Sequence, residues 1–114
     1  MPPKTNPLKL NPLQLRTLTL LQEMARHPEL STRNADSGEV FIANIPQPHG
    51  NHFHIGRRVV MAADATGLAN QAVWVALERK GLIKQSFPFA LTLTADALAY
   101  DTGLADVILH GSDH

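Results

Sequence analysis

Cysteine is absent from this chain, which removes disulfides, thiolate metal ligands and a cysteine nucleophile together. An excess of charge of one sign is absent as well: 10 Lys and Arg stand against 10 Asp and Glu, for a formal net charge of +0. A neutral chain lacks the overall field that draws a protein onto nucleic acid or an anionic surface regardless of sequence. No apolar run approaches the roughly 18 residues needed to cross a bilayer, and the opening MPPKTNPLKLNP lacks the continuous apolar segment of a secretory leader. The expectation is a soluble cytoplasmic protein without a membrane partner. Aromatic residues are scarce, with one Trp and one Tyr, so the placement of Trp74 weighs heavily on any reading of the surface. There is no Gly-rich phosphate loop, HExxH or GxSxG, and neither catalysis nor a cofactor is expected.

At 114 residues the chain is long enough for one hydrophobic core and short for two. Residues 1–10, with Pro2, Pro3 and Pro7, read as a flexible arm, residues 11–109 as a single domain and residues 110–114 as a tail. Asn11 suits the N-cap of a first helix, Pro12 its first position and Gln14 the far side of a capping box. Leu13, Leu18, Leu20, Leu21, Met24 and Ala25 give that helix a broad apolar face, and Pro28 stops it near Arg26 and His27. Residues 28–38, PELSTRNADSG, read as a surface loop. Val40, Phe41, Ile42 and Ile45 suggest a strand ended by Pro46 and Pro48, and residues 53–60 suggest a second. The QPHGN turn between them predicts a β-hairpin over residues 40–60.

Residues 59–83, VVMAADATGLANQAVWVALERKGLI, are the organising stretch. They read as a short helix, a turn at Gly67 and a longer helix that stops at Gly81. Gly67 can supply a left-handed turn, and Ala69, Ala72, Val73, Ala76 and Leu77 share one arc at about 100° per residue. Residues 82–85 and 89–93 then read as a hairpin with Ser86, Phe87 and Pro88 at its tip. Thr94 suits the N-cap of a last helix over residues 95–101, with Gly103 as its stop signal. Tyr100 is expected at the domain edge with its hydroxyl in water. Val107, Ile108 and Leu109 form a final apolar patch, suited to an edge strand or to contact with a second copy.

Ala63, Gly67, Leu68 and Val73 are spaced as in a helix-turn-helix signature, and Leu77, residues 80–83 and residues 91–94 follow as a wing and a last helix would. Over residues 57–103 the chain therefore resembles winged helix-turn-helix domains. The resemblance implies an α+β, winged-helix-like fold, a three-helix core with an inserted β-hairpin (residues 40–60) and a short wing (residues 82–93). It also implies DNA binding by a small transcriptional regulator. Asn70, Gln71, Trp74, Val75 and Glu78 match the positions that face the major groove, where Asn and Gln suit adenine and Val a thymine methyl. Arg57, Arg58, Arg79, Lys80 and Lys84 are the candidate phosphate contacts.

A second reading uses the same scaffold for protein binding or dimerisation without DNA. It rests on neutral net charge, a wing tip without a cation and the rings of Trp74, Phe87 and Phe89, since aromatic anchors dominate interface energetics. Trp74 is the pivot, because it serves equally as a core residue. His52 and His54 would share one side of a strand, with His49 or the distant His27 as further ligands. Their spacing matches no zinc signature, and no metal site is expected.

Overall fold

Helix α1, Pro12–Met24, opens as its first residues dictate. Asn11 Oδ1 accepts from the Gln14 backbone and the Gln14 side chain accepts from the Asn11 backbone, completing the capping box with Pro12 in the first turn. The structure, a computed structural model, describes residues 6–43, 45 and 50–111. Within them the chain forms an α+β domain of four helices and two small antiparallel sheets. Pro46, Pro48, His49, residues 1–5 and residues 112–114 lie outside the described residues.

The larger sheet has the order β1-β2-β6-β5, built from β1 (Ser31–Arg33), β2 (Val40–Ala43), β5 (Ile83–Ser86) and β6 (Ala90–Leu93). The smaller is a separate hairpin of β3 (His52–Ile55) and β4 (Arg58–Met61). The hairpin expected over residues 40–60 therefore does not form: β2 pairs with β1 and β6, while β3 turns back at Gly56 and Arg57 onto β4. Gly56 has φ +57° and lies against the His27 ring, so only glycine fits that turn. Residues 31–33 of the expected loop are a strand because β2 offers them a free edge.

The short helix expected before Gly67 is replaced by β4 and two 3-10 turns, Ala62–Asp64 and Thr66–Ala69. Val59 and Val60 favour extended backbone, and the remaining AADAT stretch is too short to repay helix nucleation. Gly67 lacks the left-handed φ expected of it. Its role is close approach to α1: a Cβ there would stand 1.9 Å from Thr17 Oγ1.

Helix α2, Gln71–Arg79, ends as expected at Gly81, φ +79°. The Gly81 amide donates to Glu78 O and the Leu82 amide to Leu77 O, the paired bonds of a Schellman cap. Val73, Trp74 and Leu77 are its buried residues, whereas Ala69 and Ala72 are exposed. The buried arc is thus turned toward Trp74 relative to the arc expected from the alanines, because an indole removes far more apolar surface from water than a methyl group.

The hairpin over residues 82–93 forms, with Lys84 opposite Thr92 and Ser86 opposite Ala90. Thr94 caps α3, Ala95–Ala99, which ends two residues earlier than expected, with Tyr100 already extended. Residues 6–10, expected in a flexible arm, are tied down instead: the Tyr100 hydroxyl donates to Asn6 Oδ1 and accepts from the Leu8 amide, and Leu10 is buried. The hydroxyl is therefore bonded within the domain. Val107 to Leu109 form no strand; Ala105–Ile108 is a helical turn, α4, followed by a single bridge from His110 to Val59. No helix among the described residues is long and apolar enough to cross a membrane.

Candidate nucleic-acid interface

The solvent face of α2 follows from its buried one. With Val73, Trp74 and Leu77 turned inward, Gln71, Val75 and Arg79 stand four residues apart along one stripe on the other side. Gln71 and Arg79 are exposed and Val75 is half-buried. Neither the Gln71 nor the Arg79 side chain has a hydrogen bond or ion pair among the described residues. Lys80 is exposed just beyond the helix end.

Other candidates are already engaged. Asn70 is the N-cap of α2, its Oδ1 accepting from the Ala72 amide at 3.0 Å. Glu78 Oε2 accepts from the Gln85 backbone amide at 3.1 Å, and Oε1 from the Gln85 side chain at 3.4 Å. That carboxylate covers an outward-pointing N–H on the edge strand β5, a group otherwise open to pairing with another chain. Lys84 Nζ lies 2.8 Å from Glu39 Oε2. It belongs to the outward row Thr32, Phe41, Thr92, Lys84 across the sheet, so its ammonium serves the sheet face.

Trp74, expected at the edge of this surface, is fully buried, with its ring edge-on to Phe87 at 4.9 Å between centroids and 89° between planes. No base edge or partner chain reaches it. Phe87 is half-buried by the same contact, so of the three rings proposed as protein anchors only Phe89, 76% exposed, faces solvent.

Arg57, in the β3–β4 turn, and Arg58, the first residue of β4, are exposed. That turn is anchored by Gly56 on His27, past the C-terminal end of α1, whereas Gly67 is anchored on Thr17. Thr17 lies within α1 and His27 three residues past its end, so the two anchors sit at different places along this segment. The five cations clustered in the sequence are carried by three separate elements, the β3–β4 hairpin, the end of α2 and β5. His52 and His54 pack ring to ring at 5.5 Å, and among the described residues no three of His, Asp and Glu converge as metal ligands.

No family model, curated protein or solved structure matches this chain. Its own geometry is the guide, and it adds residues that the sequence did not single out. Phe41, 46% exposed, stands in the middle of the outward sheet row, and Arg26 and Arg33 share a cleft with Asp101 and Asp106. Residues separated by up to 80 positions carry no local signal of such convergence.

Proposed function

We propose that the chain is a winged-helix-like domain that contacts double-stranded DNA through the solvent stripe of α2, as a small transcriptional regulator would. The observation that carries this reading is the stripe itself: Gln71, Val75 and Arg79 lie on a helix whose opposite face is fixed in the core, and the side chains of Gln71 and Arg79 have no polar partner among the described residues. Support comes from chain order as well. A helix, the Gly67 unit, α2, the 82–93 hairpin and α3 follow one another as in the winged-helix resemblance. Gln71 suits adenine, Val75 a thymine methyl, and Arg79 and Lys80 phosphates.

The contact set is small, and its salt dependence should be small to match. Two phosphate contacts correspond to a slope of log K against log salt of about −2. Fluorescence anisotropy with a pool of short labelled duplexes measures it. The expected result is weak binding at low salt, lost in the double variant Arg79→Ala/Lys80→Ala and kept in Arg57→Ala/Arg58→Ala. Equal loss in both variants, or no binding at low salt, would contradict the reading.

A second reading is favoured by Phe89, a ring at the hairpin tip with 76% of its surface in water. Such a group suits a protein contact, a homodimer in the simplest case. Sedimentation velocity would then detect self-association that Phe89→Ser abolishes, with the duplex leaving the α2 variants indistinguishable.

A further inference from the structure

A cleft beside the C-terminal end of α1 has a volume of about 670 Å3, within the span of small-ligand pockets. Its charged lining comes from two parts of the chain. Arg26 follows α1, and Arg33 lies in the sheet row Ile83, Leu93, Val40, Arg33. The first three residues of that row are buried, while Arg33 at the sheet's edge strand is exposed and lines the cleft with Arg26. Asp101 and Asp106 come from the segment after α3. Leu98 and Ala25 supply apolar lining.

These charges do not neutralise one another. Neither guanidinium makes a hydrogen bond or ion pair among the described residues. Asp101 uses one oxygen to accept from the Gly103 amide at 2.9 Å, and Asp106 has no such side-chain bond among them. The cleft floor is rigid where the arrangement needs it. Gln22 Nε2 donates to the Ala97 and Tyr100 carbonyls at 2.8 and 2.7 Å, and buried Thr102 bonds Thr19 at 2.6 Å, so α1 fixes the segment that carries both aspartates.

We infer that this cleft binds a small zwitterion, an α-amino acid or a dipeptide, with its carboxylate on Arg26 and Arg33 and its ammonium on Asp101 and Asp106. Guanidinium groups pair with a carboxylate through parallel charge-assisted bonds, and the aspartates supply acceptors for an ammonium. The formal charges of the set sum to zero, which matches a ligand carrying both signs and disfavours a simple anion. This inference is independent of DNA binding by α2.

The test is a heteronuclear NMR titration of the full chain with L-leucine and with Ala-Leu, each at millimolar concentration. The expected result is a saturable shift of the Arg26, Arg33 and 101–106 amides by one of the two, which distinguishes amino acid from dipeptide. The N-acetylated and C-amidated forms of that probe, and Arg33→Ala and Asp106→Asn with the parent probe, should each bind about tenfold more weakly or worse. All these side chains are exposed, so the variants should fold. The absence of a saturable shift with either probe, or binding undiminished by either end-blocked form or either substitution, would overturn the inference.

Discussion

Gly67 and Trp74 are two residues on whose packing this fold depends. A methyl group at Gly67 would meet Thr17 Oγ1 at 1.9 Å and Thr17 Cβ at 3.1 Å, so α1 and the 66–69 turn would have to part. Gly67→Ala should cost about 1–3 kcal/mol by urea denaturation, and Thr17→Ala in the same chain should recover much of it through their coupling. Additive losses in the double variant would contradict the close-approach account. For Trp74, truncation to Ala should cost about 3–5 kcal/mol. Its Nε1 makes no hydrogen bond among the described residues, so Trp74→Phe sacrifices none and should cost clearly less. As the chain has one Trp, its emission should be blue-shifted and poorly quenched by acrylamide; strong quenching would return the ring to the surface. Sequence pattern alone left Trp74 undecided because it lies at the margin of the helix, between the apolar Val73 and Leu77 and the polar Asn70, Gln71 and Glu78. What turns it inward is Phe87, thirteen positions away across a turn.

Elements were legible where their signals are local. The α1 capping box, the Gly81 cap and the Thr94 cap each involve residues within a few positions of one another, and all three form. Strand pairing was not legible in the same way. Residues 40–43 and 53–60 both look like strands, but their partners are chosen by which free edge is nearest once the core has collapsed, and β6 lies about 50 positions from β2. Residues 59–66 show the converse: small apolar residues fit a helix pattern, yet too few remain after β4 to form one. At β5, the edge seal by Glu78 makes a further prediction. Glu78→Ala should speed hydrogen exchange of the Gln85 amide and cost about 1 kcal/mol, the value of one hydrogen bond. Unchanged exchange at Gln85 would mean that the carboxylate does not protect the edge.

Across the whole molecule, the cations clustered in the sequence are divided among three elements. Arg57 and Arg58 follow the β3–β4 turn past the end of α1, Lys84 joins Glu39 on the sheet, and Arg79 and Lys80 alone stay with α2. The candidate site was legible in its stripe, since Gln71, Val75 and Arg79 follow from helical spacing. Its electrostatic surroundings were not, because they depend on how separate elements pack. The central claim, that α2 is a DNA-contacting helix, is tested most directly by titrating isotope-labelled protein with a pool of short duplexes at low and moderate salt. The account predicts that amides over residues 70–80 shift together and recover as salt is added, while those of Arg57 and Arg58 stay still. Signals over residues 70–80 that do not move, with shifts confined to Phe89 and its neighbours or absent altogether, would contradict it.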